Sequence, residues 1–318
     1  MLIKLAAAGL LTAASSASAQ VPYGRAVSVG SGASALRGTL LSPVGRARGN
    51  PILMLAGSGP TDRDGNSPLG VTAKPYRLLA EGLAERGVAT LRVDKRAVAA
   101  SRGAASREED LRIETYADDA RVWAARLKAE TRARCVWLLG HSEGSLIAQL
   151  AGKNNTDVCG LILVSGPGRR GAELIREQVG SQLPEPLKSQ AFAALSELEA
   201  GRTVEGPPQL AALFRASVQP YLISWFRHDP AQLLRGYSRP VLIVHGTTDI
   251  QATLADAERL AAANPNAVLI KLEGVNHVLK VAPLARVANL ATYADPNLPL
   301  APGVVDAIAG FATAHLRR

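Results

Sequence analysis

Residues 135–152, "CVWLLGHSEGSLIAQLAG", decide the fold because two hydrophobic patterns meet within them. The first six residues form the short, nearly continuous apolar run that is typical of a strand buried on both faces of a parallel sheet. The residues from 143 onward are typical of a helix, and the motif G-x-S-x-G stands at the junction, with Ser142 at its centre. This order predicts a strand, a sharp turn and a helix, with the Ser142 hydroxyl projecting above the sheet edge. The alternative is a serine that only occupies a turn.

The rest of the chain repeats this alternation of short apolar runs and amphipathic stretches. Such an order predicts an α/β fold with a doubly wound, mostly parallel sheet that helices cover on both sides. Residues 25–42 contain Gly and Ser turns and predict an antiparallel hairpin at one edge. The predicted strands are 51–56, 88–93, 135–140, 160–165, 240–245 and 268–272, and the predicted helices are 74–86, 114–131, 143–152, 253–263 and 303–316.

One region interrupts the alternation. Residues 167–238 contain helical stretches punctuated by Pro and Gly, without a strand-like run. A helical segment between two sheet strands predicts a cap over the sheet edge, and such caps often form the substrate wall. Among its aromatic residues, Tyr221, Trp225 and Phe226 are the candidates for contact with an apolar substrate. The alternative is that the aromatic residues of the cap fill its own core.

The N-terminal residues have the three parts of a secretory signal peptide. Lys4 supplies the basic part, residues 5–11 the apolar part, and Ala17-Ser18-Ala19 the small residues that precede a cleavage site. We expect residues 1–19 to be removed and the protein to be exported to the periplasm or the extracellular space. A membrane anchor is the alternative, but a spanning helix needs about 20 apolar residues, and this stretch is far shorter.

Composition narrows the class of protein. With 318 residues, of which 47% are hydrophobic and 20% charged, the chain can bury one large core, and residues 20–318 are interpreted as a single domain. The net charge of +9 comes from scattered arginines rather than a Lys/Arg block, so nucleic acid is not an expected partner. Two cysteines and five histidines without metal-ligand spacing predict neither a disulfide-rich scaffold nor a metal site, and we expect no cofactor.

Candidate partners for Ser142 follow it in the chain. A serine hydroxyl becomes a good nucleophile only when a base takes its proton, and the base needs an acid to orient it. Asp249 stands in "GTTDIQ" and His277 stands in "EGVNHVLK", each in the loop directly after a predicted strand. The order Ser, Asp, His along the chain is the one found in α/β-hydrolases. Asp256 lies nearby and is the alternative acid.

Further motifs carry a family resemblance. The chain resembles an α/β-hydrolase, and more narrowly the bacterial, secreted branch related to serine aminopeptidases and small-molecule esterases. The matching motifs are "GSGPTDRDGN" at 57–66, "DKRA" at 94–97 and "GHSEG" at 140–144. Together with "VHGTTDIQ" and "GVNHVLK", they extend the resemblance over nearly the whole mature chain.

The resemblance implies a role for each site residue. Ser142 corresponds to the nucleophile, Asp249 to the acid and His277 to the base. The oxyanion hole corresponds to two backbone N–H groups, those of Ser58 and Glu143. These roles imply a serine hydrolase that forms an acyl-enzyme and acts on a small-molecule ester.

Two details concern the loops and the strand starts. Ala97 and Ala99 stand where the family usually has glycines, so the conformation of this loop is the point at which the resemblance is weakest. Cys135 and Cys159 stand at the starts of two strands that the resemblance makes neighbours, and export to an oxidising compartment would permit a disulfide between them. The alternative is a pair of small buried thiols.

Charged residues cluster in the two loops that carry the resemblance. They are either a binding site for a charged substrate or an ion-pair network that holds the oxyanion loop in shape, and the second interpretation is favoured. The cluster consists of Asp62, Arg63, Asp64, Asp94 and Arg96.

The sequence therefore predicts a carboxylesterase-like serine hydrolase. The same residues could instead cleave peptides or thioesters, since fold and triad do not fix the substrate. A relative that binds a ligand without catalysis is the alternative from another class. Scattered acidic residues in the cap, where a peptidase would need an amine-binding cluster, favour the ester.

Overall fold

The computed structural model describes residues 24–43, 45–105 and 107–315. The predicted signal peptide therefore lies outside the described residues. The described chain contains one sheet of eight strands in the order β1-β2-β4-β3-β5-β6-β7-β8. The strands are β1 (Gly24–Val29), β2 (Leu36–Leu41), β3 (Ile52–Leu55), β4 (Thr90–Val93), β5 (Val136–His141), β6 (Val158–Val164), β7 (Val241–Gly246) and β8 (Val268–Leu272).

The order of the strands confirms the predicted α/β fold. The six strands β3 to β8 run parallel to one another. β1 and β2 form an antiparallel hairpin at one edge, as the Gly- and Ser-containing turns predicted. The opposite edge differs from the expectation of burial on both faces. β8 is only partly buried and Val268 is 46% exposed, because an edge strand has a neighbour on one side only.

Two hydrophobic clusters lie on the two faces of the sheet. Successive side chains of a strand point to opposite faces, so within β3 Leu53 and Leu55 join one cluster while Ile52 and Met54 join the other. A continuous apolar run is needed because both faces are covered. This explains why the central strands lack the polar alternation of a half-exposed sheet.

Helices cover both faces of the sheet. On the first face pack α2 (Ile113–Thr131), α3 (Glu143–Gly152) and α9 (Leu254–Ala263), and on the second pack α1 (Pro75–Glu85) and α11 (Val304–Ala314). A further short helix, α10 (Arg286–Ala291), was not predicted from the sequence. Five α-helices stand between β6 and β7, in the region expected to form a cap. They are α4 (Gly171–Gly180), α5 (Leu187–Glu199), α6 (Ala211–Phe214), α7 (Gln219–Phe226) and α8 (Pro230–Leu234).

The two cysteines lie on neighbouring strands. Cys135 directly precedes β5, Cys159 is the second residue of β6, and the two are joined by a disulfide with Cα atoms 5.2 Å apart. No helix in the described ranges combines the length and the apolar character needed to cross a membrane.

Candidate active site

Ser142 occupies a strained turn between β5 and α3. Its backbone has φ 54° and ψ −125°, a region that non-glycine residues rarely adopt and that costs about 1–3 kcal/mol. The surrounding main chain holds it there. The Ser142 N–H donates to the Val164 carbonyl on β6 over 2.9 Å, and the Ser142 carbonyl accepts from the Ser145 N–H over 2.9 Å. The strain is thus held by hydrogen bonds at both of its peptide groups.

The two glycines of the motif allow this turn because no side chain fits at their positions. A Cβ atom on Gly140 would lie 2.0 Å from the Gly144 carbonyl oxygen, and one on Gly144 would lie 2.3 Å from the Leu55 carbonyl oxygen. Separations below 3.0 Å are sterically forbidden. The G-x-S-x-G spacing therefore reflects how closely α3 approaches β3 and β5.

Asp249 and His277 form a hydrogen-bonded pair at the same sheet edge. Asp249 follows β7 and His277 follows β8, and the His277 Nδ1 lies 2.8 Å from the Asp249 Oδ2. The other carboxylate oxygen, Oδ1, accepts the backbone N–H groups of Gln251 and Ala252. Burial acts to raise the pKa of Asp249, but His277, His245 and the Gln251 N–H outweigh it, so the pKa lies below its usual value. Asp249 is therefore ionised at neutral pH.

The alternative acid, Asp256, has other partners. Its Oδ1 accepts from the Arg169 Nε over 3.0 Å and from the Gly168 N–H, and its Oδ2 accepts from the Thr253 N–H at the start of α9. These contacts join the start of the cap to α9. Of the two carboxylates that the sequence left open, the structure brings Asp249 to His277.

His141 connects Ser142 with the loop of His277. The His141 Nε2 lies 2.8 Å from the His277 carbonyl oxygen, and the centroids of the two imidazole rings are 4.7 Å apart. Since His141 directly precedes Ser142, this contact places His277 next to the strained turn. Burial, followed by the influence of His277, lowers the pKa of His141 to about 3, so its ring is neutral at neutral pH.

The neutral His141 ring sets the direction of a chain of hydrogen bonds. A carbonyl oxygen can only accept, so His141 Nε2 carries the proton and its Nδ1 is an acceptor. The Tyr76 hydroxyl, 2.8 Å from Nδ1, must then donate to His141, and its oxygen accepts the Gly57 N–H over 3.1 Å. The chain therefore runs from the loop after β3 to the backbone of His277.

The two oxyanion donors expected from the resemblance belong to the start of α3 and to the loop after β3. Glu143 is the first residue of α3, where backbone N–H groups have no partner within the helix. Ser58 is exposed in the loop after β3. The preceding residue lies close to Ser142, because a Cβ atom on Gly57 would be 3.1 Å from the Ser142 Cβ. Both N–H groups therefore belong to segments that lie next to Ser142 at the same edge of the sheet.

The loop 57–66 is joined to the end of β4 by charged side chains. Arg63 donates to Asp94 through its Nη2 over 2.6 Å and through its backbone N–H over 2.8 Å, and Asp62 accepts the N–H groups of Asp64 and Asn66. In addition, Asp64 pairs with Arg92 and Arg96 pairs with Asp119. These contacts support the interpretation of the charged cluster as an ion-pair network.

The cap aromatic residues differ in their surroundings. Trp225 and Phe226 are buried in the hydrophobic cluster, and the Trp225 ring packs directly on Gly171. Their burial favours the alternative that these two residues fill the core of the cap. Tyr221 has a buried hydroxyl, and burial together with the nearby Glu143 carboxylate holds its pKa well above the usual value.

Sequence reasoning missed two residues of this edge, Tyr76 and Lys95. Tyr76 belongs to α1, and its hydroxyl contacts Gly57 and His141, which are distant from it in the sequence. Lys95 donates from Nζ to the Gly57 carbonyl oxygen over 2.5 Å and lies 3.7 Å from a carboxylate oxygen of Glu143. A signal for Lys95 was present, since it stands two residues after a predicted strand, at the same sheet edge as Ser142.

No group of three or more His, Cys, Asp or Glu side chains suited to a metal ion occurs within the described ranges.

Comparison with known proteins identifies the family. The chain matches the model of the alpha/beta hydrolase family over residues 52–290. The chain belongs to the alpha/beta hydrolase family. The matched range includes Ser142, Asp249 and His277.

Individual relatives include several esterases. Esterase EstD of Thermotoga maritima is 25% identical over 248 residues, which make up 77% of this chain and 58% of that protein. This chain thus spans less than two thirds of the length of that curated relative. Among solved structures, the esterase domain of a Rhodothermus marinus protein has a TM-score of 0.55 at 17% identity, covering 92% of this chain and 98% of that one. Est1E from Butyrivibrio proteoclasticus has a TM-score of 0.51 at 17% identity, covering 84% and 96%. At these identities the solved structures show a shared fold.

Proposed function

We propose that this protein is a serine hydrolase that cleaves carboxylic esters through an acyl-enzyme. One observation carries the proposal: a hydrogen-bonded Asp249–His277 pair lies beside Ser142, which stands in the strained turn of the family. The similarity to Esterase EstD supports the choice of ester chemistry.

The proposed reaction has two halves. In the first, His277 takes the Ser142 proton as Oγ attacks the ester carbonyl, and the backbone N–H groups of Ser58 and Glu143 stabilise the oxyanion. His277 then gives its proton to the leaving alcohol. In the second half, His277 takes a proton from water, the hydroxide oxygen attacks the acyl carbon, and the carboxylic acid leaves as Ser142 regains its proton. Asp249 keeps the imidazole oriented and stabilises its charged form.

The charges of the cap support an ester rather than an N-terminal peptide as substrate. A peptidase that binds the amine of its substrate needs acidic groups free to receive it. In this chain the acidic residues of the cap are largely neutralised by basic neighbours. The pairs are Glu173–Arg259, Glu177–Arg169, Glu185–Lys188, Glu197–Arg202, Glu199–Arg176 and Asp229–Arg259.

We further propose that the substrates carry short to medium acyl chains and that α7 of the cap limits their length. Of the three candidate wall residues, Tyr221 reaches toward Glu143, directly after the nucleophile, and Trp225 and Phe226 support it from the core. The protein is also proposed to act after export, with the mature chain beginning at Gln20. N-terminal sequencing of the protein recovered outside the cytoplasm checks this point, and an uncleaved Met1 there would contradict it.

A fluorophosphonate probe, which phosphonylates activated serines, tests the enzyme against a binding protein. We expect the wild type to be labelled and Ser142→Ala to resist labelling, with kcat for p-nitrophenyl esters lowered on the order of 10⁴-fold or more. Ser34→Ala, in the exposed turn between β1 and β2, is the serine control and should be labelled like the wild type. Labelling that persists in Ser142→Ala would refute the assignment of the nucleophile.

A substrate panel separates ester from peptide hydrolysis. We expect kcat/KM for p-nitrophenyl esters of increasing acyl length to pass through a maximum and to exceed that of any aminoacyl p-nitroanilide. An anilide cleaved as well as the best ester would favour the aminopeptidase, and a thioester preferred to its oxygen ester would favour the thioesterase.

A further inference from the structure

Gly57, directly before the proposed oxyanion donor, is hydrogen-bonded at both of its peptide groups. Its N–H donates to the Tyr76 hydroxyl over 3.1 Å, and its carbonyl oxygen accepts from the Lys95 Nζ over 2.5 Å. The carbonyl of Gly57 and the N–H of Ser58 belong to one planar peptide unit. Whatever holds this carbonyl therefore also fixes the direction in which the Ser58 N–H points.

The bond from Lys95 is made in a dry, charged environment. The Lys95 side chain is 8% exposed and that of Glu143 is 2% exposed, and the two charged groups lie 3.7 Å apart. The ammonium also lies 5.5 Å from the centre of the Tyr116 ring. Burial lowers the pKa of Lys95, and Glu143 counteracts this by favouring the charged form. An ion pair so well removed from water keeps its geometry and interacts strongly with a nearby peptide dipole.

The lysine contacts both halves of the expected oxyanion hole. It bonds to the peptide that carries the Ser58 N–H, and it pairs with the side chain of Glu143, whose own N–H is the second donor. A cation at a carbonyl oxygen draws electron density from the peptide and strengthens its N–H as a donor, since hydrogen bonds in a chain polarise one another. One side chain thus orients and polarises the site that must receive negative charge.

We propose that Lys95 is a positioning residue for the oxyanion hole. It holds the Gly57–Ser58 peptide in the orientation required by the tetrahedral intermediate and raises the donor strength of the Ser58 N–H. This inference rests on the proposed function, since it needs Ser58 to face the substrate oxygen. A buried ion pair with a purely structural role would affect stability without selectively weakening the transition state.

The test uses Lys95→Met, which keeps an unbranched side chain one atom shorter and removes its donors. Removing one oxyanion donor elsewhere costs about 10²- to 10³-fold in kcat, and loss of a polarising contact should cost less, about 10- to 100-fold. We expect KM for a p-nitrophenyl ester to change less than about twofold, because the contact acts on the charged intermediate. The affinity of an alkylboronic acid, whose serine adduct is tetrahedral and anionic, should fall by about the same factor as kcat.

Companion variants separate the catalytic effect from the cost of an unpaired Glu143. Lys95→Met/Glu143→Gln buries neither charge and should fold even where the single variant does not, while still showing the loss of kcat and boronate affinity. Lys95→Arg keeps a charged donor and should recover part of both. Lys271→Met, on the exposed edge strand β8, is the lysine control and should behave as the wild type.

The outcomes distinguish the two proposals. If the wild type neither hydrolyses esters nor reacts with the fluorophosphonate at Ser142, the proposed function fails first. If the wild type is active but folded Lys95 variants keep kcat and boronate affinity, or lose ester rate and boronate affinity by unrelated factors, Lys95 has only a structural role and the inference is overturned.

Discussion

The turn at Ser142 and the cap helix α4 differ in what their glycines contact. At the turn, Gly140 and Gly144 face backbone carbonyl oxygens, so an added Cβ would meet the main chain at 2.0 and 2.3 Å. In the cap, Gly171 and Gly180 face aromatic side chains, with an added Cβ 2.6 Å from the ring of Trp225 and 3.1 Å from the ring of Phe192. The glycines of the turn therefore pack against main chain, and those of α4 pack against side chains.

This difference determines which region can change. A side chain moves to another rotamer at modest cost, whereas a main-chain carbonyl moves only with the strand or helix to which it belongs. The position of Ser142 is thus set by the main chain of the sheet and of α3. The cap can be repacked by substitution without moving Ser142, which is how one fold can present the same chemistry to different substrates.

The same substitution at one glycine from each region gives the largest expected contrast. Gly144→Ala must push α3 away from the Leu55 carbonyl, so we expect a loss of roughly 3 kcal/mol or more in the free energy of unfolding, at the upper end of overpacking effects, and loss of ester hydrolysis. In Gly180→Ala, alanine is a better helix former at the last residue of α4, and its Cβ contacts only the ring of Phe192, which can move. The stability of this variant should therefore stay within about 1 kcal/mol of the wild type.

Urea unfolding of the two variants measures this contrast. The ester rate of each folded variant serves as the second measurement, and Gly180→Ala should keep it. Comparable losses of stability at Gly144 and Gly180 would show that the turn accommodates an added Cβ as easily as the cap does. The proposed difference between the two regions would then be wrong.

The sequence predicted the sheet and the edge that carries Ser142 better than it predicted the packing of side chains in the cap. The strand predicted at 268–272 has those bounds in the structure, and Asp249 and His277 meet because their strands end at one edge. The burial of Trp225 could not be predicted, because a helical pattern does not say whether an aromatic face turns to a core or to a pocket. The hydrogen bond of Tyr76 was also beyond the sequence, since it depends on how α1 packs on the sheet.

The next prediction concerns how the stability of the region around Ser142 depends on pH, through the imidazole of His141. His141 is neutral in the folded protein down to a pH of about 3, whereas in the unfolded chain it takes up a proton near its ordinary pKa of about 6.5. Between these values the unfolded state binds more protons, so stability falls as the pH is lowered from about 6.5 toward 3. The slope from this one group reaches about 1.4 kcal/mol per pH unit.

His141→Asn should remove this part of the slope. We expect the variant to be less stable than the wild type at pH 7, because Asn cannot reproduce both ring contacts, but to lose less further stability between pH 6.5 and 4. Urea unfolding at several pH values measures both slopes, and the carboxylates common to the two proteins contribute equally. Parallel pH profiles would mean that His141 is not held neutral by the folded site.

The smallest expected effect tests whether the backbone is strained at Ala97, in the loop after β4, as well as at Ser142. Ala97 has φ 69° and lies in the left-handed region, which costs a residue with a Cβ about 1–2 kcal/mol. Ala97→Gly relieves this cost but gives the unfolded chain more freedom, so the net gain in the free energy of unfolding should be about 0.5–1 kcal/mol. Ala100→Gly, three residues away and outside the left-handed region, adds the same freedom without relief and should lose about that amount. Thermal and urea unfolding of both variants therefore give opposite signs if the backbone at Ala97 is strained, and the same sign would show that Ala97 carries no strain that glycine relieves.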